Sequence, residues 1–142
     1  MFSPSREQVR QFFFESWRKY RQGEQMTALE GMALQVMLAH PEYHAVLNDP
    51  ENYLEQEYFP EMGETNPFLH MSLHLSVQEQ LSIDQPTGIV AAYRQLVNRL
   101  GEHPAQHAVL DCLAETVWQA QRDGRTLDGA AYLVRVQQAA KA

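Results

Sequence analysis

The residues in this sequence that are best suited to chemistry are its six histidines, which form three pairs with the spacing His-x-x-x-His. The pairs are His40/His44, His70/His74 and His103/His107. Residues four positions apart lie on one face of an α-helix, so both imidazoles of such a pair can bind one metal ion. A divalent-metal site is therefore the first chemical hypothesis, provided that a pair lies inside a helix.

Only one of the three pairs meets that condition from the sequence. Proline follows His40 and His103, and a residue that precedes proline disfavours the α conformation. We therefore predict that both lie at a helix boundary, outside the turn that carries their partners. His70 and His74 lie well inside a helix predicted to begin near Pro67, so their same-face geometry is the firmest. The segment 70–74 lacks the glutamate of the H-E-x-x-H motif, which excludes that class of zinc protease.

Other predicted helices add further ligand candidates. Successive one-turn steps join His107, Asp111 and Glu115 on one flank of a helix. Glu30 lies among apolar neighbours, where a carboxylate is either at the edge of the apolar stripe or paired inside it. The predicted ligands are His70, His74 and His107, with Glu115, Glu30 and His44 to complete or orient the site. A mixture of imidazole and carboxylate suits Zn, Fe or Mn.

Prolines and glycines mark the elements that must position these residues. Proline follows Ser3, Asp49 and Asn66, each a residue able to cap a helix, while Gly101 and Gly124 occupy positions typical of helix ends. The pattern predicts helices at about 4–22, 25–39, 41–48, 50–58, 66–83, 87–100, 104–122 and 128–140. A connecting loop is predicted at 59–65. Because no strand-like alternation is present, we predict an all-α, single-domain bundle (1–142) of five to eight helices, some short.

The helix predicted at 66–83 is apolar over much of its circumference. Its broadest predicted face carries Leu69, Leu73, Val77 and Leu81. His70 and His74 flank Leu81 on this face, so both imidazoles are expected to point inward. Buried imidazoles need hydrogen-bond or metal partners, because unpaired buried polar groups are costly.

Composition excludes several classes of function. The 142 residues carry 18 acids against 11 bases, a net charge of -7, and the bases are scattered, which argues against nucleic-acid binding. The longest apolar runs fall far short of the roughly 20 residues of a membrane span, and the start lacks a signal-peptide run. The single Cys112 cannot form an internal disulfide. These features predict a soluble, cytoplasmic protein, with no nucleotide or flavin motif.

Aromatic residues are concentrated in the first predicted helix. They are Phe12, Phe13, Phe14, Trp17 and Tyr20. They cover more than one helical face, so one face is expected to pack in the core and the remainder could join another copy of the chain. Core packing is the default, with a homo-oligomer through these aromatics as the alternative.

Three segments together resemble a known family: 40–44 (HPEYH), 66–75 (NPFLHMSLHL) and 83–89 (IDQPTGI). Over nearly its whole length the chain is similar to a bacterial family known only as a domain of unknown function. The resemblance implies that the family's signature elements match here at the six predicted site residues, and it implies no activity. They are Glu30, His44, His70, His74, His107 and Glu115.

Two functions remain open from the sequence. The first is a small helical protein with an internal His/carboxylate site for a divalent transition metal. If that site is catalytic, the nucleophile would be a metal-bound water and the base a carboxylate such as Glu115. The second is a non-catalytic interaction or regulatory module in which the His/Glu cluster is a buried hydrogen-bond network.

Overall fold

The computed structural model describes residues 5–59 and 62–142, which form eight α-helices, one 3-10 helix (η1) and no strand. The helices are α1 (Arg6–Gln22), α2 (Ala28–Leu38), η1 (Pro41–Tyr43), α3 (His44–Leu47), α4 (Pro50–Tyr53), α5 (Pro67–Ile83), α6 (Ile89–Leu100), α7 (Glu102–Asp123) and α8 (Gly129–Lys141). The all-α class is confirmed. None of the helices in the described ranges is both long and apolar enough to cross a membrane.

Side-chain caps explain where several helices begin. Asn66 accepts hydrogen bonds from the backbone N–H groups of Phe68 and Leu69, at 3.0 and 3.2 Å, so α5 begins at Pro67 as predicted. The predicted start at Ser3-Pro4 lies outside the described residues, and α1 begins after Ser5, which forms a capping box with Gln8. The prediction that Asp49 caps α4 is wrong.

Asp49 makes no side-chain capping bond, and its carboxylate accepts from the side chain of Asn52 at 2.8 Å. The helix that follows is also shorter than predicted, since α4 ends at Tyr53 and not near residue 58. The carbonyl groups at the end of α4 and just after it are bound by a buried arginine from α1. The guanidinium thus replaces the N–H donors that a longer helix would have supplied.

That arginine is Arg10, of which only 1% is exposed. One of its terminal nitrogens donates to the carbonyl oxygens of Tyr53, Leu54 and Gln56, at 3.1, 3.0 and 2.7 Å. Its guanidinium carbon also lies 4.8 Å from the ring centre of Phe68. Burial lowers the pKa of Arg10. The side chain ties α1 to the residues at the end of α4.

The chain divides into two compact units, Met1–Leu75 and Ser76–Ala142. The single-domain interpretation therefore stays a prediction. In the first unit α1 packs against α2, and α3, η1 and the first half of α5 complete the core. The core residues are Phe13, Phe14, Trp17, Ala33, Val36, Met37, Leu47, Phe68, Met71 and Leu75. Three of the five aromatic side chains of α1 are thus core residues, and association through this helix stays a prediction.

The buried face of α5 matches the predicted one only in part, since Val77 is 3% exposed as expected but Leu73 and Leu81 are only half-buried. Phe68, Met71 and Leu75 enter the core, whereas Leu69, expected on the buried face, is 58% exposed. Nearly every face of this helix is apolar, so the pattern of the sequence does not determine which stripe is buried. His74 is nevertheless buried.

In the second unit α6, α7 and α8 pack against one another. The segment 83–89 leads into α6. The carboxylate of Asp84 accepts hydrogen bonds from the backbone N–H groups of Gly88 and Val90, at 3.2 and 3.0 Å, at the start of that helix. Asp84 adopts a left-handed conformation with φ 52°, which aspartate tolerates better than most residues. This family-like segment therefore has a structural role as the cap of α6.

Candidate metal centre

His70 and His74 lie one turn apart on α5, as the spacing predicts. Their Nε2 atoms are 3.1 Å apart and their ring centres are 4.7 Å apart. His74 is buried, with 7% of its surface exposed, and His70 is half-buried. The two imidazoles therefore bring nitrogen atoms together at the border between core and solvent.

A third imidazole, that of His40, completes the cluster. Its ring centre lies 5.0 Å from that of His70 and 4.9 Å from that of His74, and its side chain is buried. Ligand atoms from these three residues all lie within 4.8 Å of one another. Among residues 5–59 and 62–142, these three histidines form a group of side chains that are close enough to bind one metal ion together. All three belong to the first unit.

His40 reaches the cluster because it lies at a helix boundary. It follows α2 and precedes Pro41, with φ -126° and ψ 69°, which is the non-helical conformation expected before proline. The sequence predicted this boundary correctly but left His40 out of the predicted ligands. The structure corrects that omission, because the two imidazoles beside His40 are those of His70 and His74 on α5, and not that of His44.

Glu42 supports His40 from the adjacent turn. Its Oε2 lies 3.1 Å from Nδ1 of His40, and because a carboxylate can only accept, Nδ1 must carry the proton. The remaining nitrogen of His40, Nε2, is then the ligand atom, an arrangement common around metal-binding histidines. The backbone N–H of Glu42 itself, followed by His40, holds the pKa of the Glu42 carboxyl below its usual value. Sequence reasoning missed Glu42, although its position in the segment HPEYH was the available signal.

Tyr43 stacks on the ring of His40. The two rings are stacked with their centres 5.4 Å apart, and the Tyr43 ring lies 6.1 Å from that of His70. Burial raises the pKa of the Tyr43 hydroxyl. Stacking on one side and Glu42 at Nδ1 together limit the rotation of the His40 ring.

Two predicted ligands of the first unit have other partners. His44 Nε2 donates to the carbonyl oxygen of Met37 at 2.7 Å, and its ring lies 4.5 Å from that of Trp17. Since the carbonyl can only accept, Nε2 of His44 carries a proton and is not a ligand atom in this arrangement.

Glu30, the other predicted ligand, caps its own helix. Its Oε1 accepts from the backbone N–H of Thr27 at 2.8 Å, and Oε2 forms an ion pair with Lys19 at 3.0 Å. The backbone N–H of Thr27, followed by Lys19, lowers the pKa of Glu30. The buried carboxylate that the sequence singled out is therefore satisfied by a capping box and a lysine.

His107 and Glu115 lie on α7, in the second unit. Glu115 has a 65% exposed side chain, with its Oε1 3.8 Å from Nε of Arg135. The prediction for His103 is corrected, because α7 begins at Glu102 and so includes His103 in its first turn. The rings of His103 and His107 lie 4.5 Å apart. Proline at 104 is tolerated there, since N–H groups in a first turn have no helical acceptor. Convergence of His107 and Glu115 with His70 and His74 stays a prediction.

The fold and the cluster define a class: an all-α protein with three imidazoles gathered at one candidate metal centre. The chain belongs to the family DUF1841, described as a domain of unknown function, whose profile matches residues 5–138. This confirms the expected resemblance over nearly the full length. Searches of curated proteins and of solved structures found no match.

Proposed function

We propose that this protein binds a divalent transition-metal ion through His40, His70 and His74. The observation that carries the proposal is the 3.1 Å separation of the His70 and His74 Nε2 atoms, with a third buried imidazole against both. Two nitrogens bound to one tetrahedral ion at about 2.0–2.1 Å lie roughly 3.3 Å apart. The pair on α5 is therefore close to the separation that a shared ion requires.

The donor set favours zinc over manganese. The three clustered residues offer imidazole nitrogens only, because Glu42 is hydrogen-bonded to His40 and not part of the group. Imidazole suits Zn, Cu, Fe and Ni, whereas manganese prefers oxygen ligands. Zinc also accepts three protein ligands with a fourth position left for water, which is the pattern of catalytic zinc sites. Half-buried His70 places this position within reach of solvent. The chemistry such a site could supply is activation of a water molecule for hydrolysis.

A non-catalytic polar network is the second candidate, and the same contact favours it. Two neutral imidazoles 3.1 Å apart can also share a hydrogen bond, with one ring donating and the other accepting. In that case the cluster would fix the packing of α5 against the turn at His40, without an ion. Metal content separates the two candidates.

The decisive experiment is metal analysis of protein purified without a histidine tag and without added metal. We expect stoichiometric zinc in the wild type, and a loss of zinc affinity of at least about 100-fold in His40→Ala, His70→Ala and His74→Ala. This exceeds the typical 10–100-fold effect of removing a residue that only supports a ligand. A chelator-competition titration measures the affinity.

The chain offers a matched control in His103→Ala. It removes one ring from a second pair of identical spacing, whose centres are 4.5 Å apart, in the other unit. Zinc affinity should be unchanged in this variant. Metal-free wild type that gains no zinc on titration, or zinc lost equally from His103→Ala, would refute the proposal.

A further inference from the structure

A second candidate binding feature lies in the first unit, between α1 and the α3–α4 segment. It is a groove of about 790 Å³, within the usual range for small-molecule sites. Phe14, Trp17 and Leu47 form its floor and are only 3–8% exposed. The lining includes none of the three clustered histidines. The groove is therefore independent of the proposed metal centre.

Two arginines of α1 line the groove, and they differ in their partners. Arg18 is held by two carboxylates, those of Glu15 and Glu24, each at 2.5 Å. Arg21 donates to Oδ1 of Asn48 at 2.6 Å, and no carboxylate of the described residues forms an ion pair with it. The guanidinium of Arg21 can therefore form an ion pair with an anionic group from outside the described part of the chain.

Asn48 holds this charge in place. Its Oδ1 also accepts from the indole Nε1 of Trp17 at 2.8 Å, so one amide oxygen links the guanidinium to the aromatic floor. The indole also contacts the rings of His44 and Tyr20, whose centres are 4.5 and 5.3 Å away. The positions of cation and aromatic surface are therefore set before a ligand arrives, which lowers the entropic cost of binding.

We propose that this groove binds a small organic anion with an apolar body. The body would lie over Phe14, Trp17 and Leu47, and the anionic group would accept charge-assisted hydrogen bonds from Arg21. A net charge of -7 disfavours large polyanions, but a single anionic group is attracted by a local, unpaired guanidinium.

Two probes of nearly the same shape test the role of the charge. 1-Anilinonaphthalene-8-sulfonate carries one sulfonate, and N-phenyl-1-naphthylamine is its uncharged counterpart. Trp118→Phe leaves Trp17 as the single tryptophan, so energy transfer from Trp17 to the probe reports binding at the groove. Metal is removed with EDTA and dialysis beforehand, which prevents the sulfonate from binding an ion.

We expect saturable binding of the sulfonate in the Trp118→Phe protein. Arg21→Gln should weaken it by about tenfold or more, because a hydrogen bond to a charged group is lost. The uncharged probe should change by less than about twofold. Gln11→Glu, which adds a negative charge at an exposed lining residue, should weaken sulfonate binding while leaving Arg21 intact.

Arg94→Gln is the matched control, since Arg94 lines a smaller groove of about 330 Å³ beside Tyr93 in the second unit. It should leave sulfonate binding at Trp17 unchanged. The proposal is overturned if Arg21→Gln binds the sulfonate as tightly as its parent. Equal loss of both probes in that variant would overturn it as well. Neither outcome bears on zinc binding, which depends on a different set of residues.

Discussion

Zinc should stabilise the first unit of the wild type, and His74→Ala should abolish that stabilisation. An ion that binds only the folded state, present at 100 times its dissociation constant, raises the free energy of unfolding by about 2.7 kcal/mol. His74 is 7% exposed and its Nε2 lies 3.1 Å from that of His70. In His74→Ala the shared site is lost, so the zinc-dependent increment should fall to nearly zero.

The alternative network gives a different pattern. If His70 and His74 only share a hydrogen bond, His74→Ala destabilises the unit by about 1–3 kcal/mol with or without zinc. Zinc then changes the stability of neither protein. A zinc site and a hydrogen-bond network therefore predict different effects of zinc on the free energy of unfolding, although both predict that His74→Ala is destabilised.

The assay needs a local probe because the chain consists of two compact units, whose unfolding need not coincide. Trp17 is 6% exposed in the core of the first unit, whereas Trp118 is 57% exposed in the second. In a Trp118→Phe background the fluorescence of Trp17 follows the first unit during urea unfolding. The midpoint is measured in EDTA and in excess zinc.

Glu30→Gln is the matched control for this experiment. It removes the ion pair with Lys19 in the same unit but no clustered histidine, so the variant should be less stable while keeping the full zinc increment. The reasoning fails if zinc does not shift the wild-type midpoint, or if His74→Ala retains the same shift.

Three further predictions follow from the same contacts. Glu42→Gln should lower zinc affinity by roughly tenfold in chelator competition, because the neutral amide accepts less strongly from His40 Nδ1. The pKa of Glu30 is lowered in the folded state, so the ionised carboxylate stabilises the protein at neutral pH, and this stabilisation is lost as the pH falls below about 4.5. In Glu30→Gln the free energy of unfolding should lack this pH-dependent part, and the zinc affinity should be unchanged. Arg10→Met removes the guanidinium that donates to three carbonyls, and it should lower the free energy of unfolding by about 3 kcal/mol, measured by Trp17 fluorescence. The exposed control Arg6→Met should stay within about 0.5 kcal/mol of the wild type.

The presence of the helices could be predicted from the sequence because the residues that begin and end a helix act locally. Asn66 caps α5 and Gly124 ends α7 in a left-handed conformation, both as the residue types indicate. The end of α4 was predicted wrongly, and a distant residue binds the chain there. Arg10, more than 40 positions away, donates to the carbonyl oxygens of Tyr53, Leu54 and Gln56, at and just after the end of that helix.

The candidate site was predictable only in part, for the same reason. Periodicity identified His70 and His74, since both lie on one helix. It could not identify His40, because the contact between the turn at residue 40 and α5 depends on how the helices pack. Glu30 illustrates the opposite case. The sequence left open whether its carboxylate lies at the edge of the apolar stripe or is paired inside it, and the structure pairs it with Thr27 and Lys19.

The three His-x-x-x-His pairs show that spacing brings imidazoles together only when the backbone between them is helical. The pairs within α5 and α7 have ring centres 4.7 and 4.5 Å apart. In the first pair, Pro41 separates His40 from α3, and the two side chains have different partners: His40 joins the cluster, while His44 binds the Met37 carbonyl. Pro41 thus separates His40 from His44, and the imidazole of His40 lies instead beside the pair His70/His74. Because two rings on one helix offer an ion only two ligands, this third ring is what makes the α5 pair, and not the equally close pair on α7, the stronger candidate for zinc.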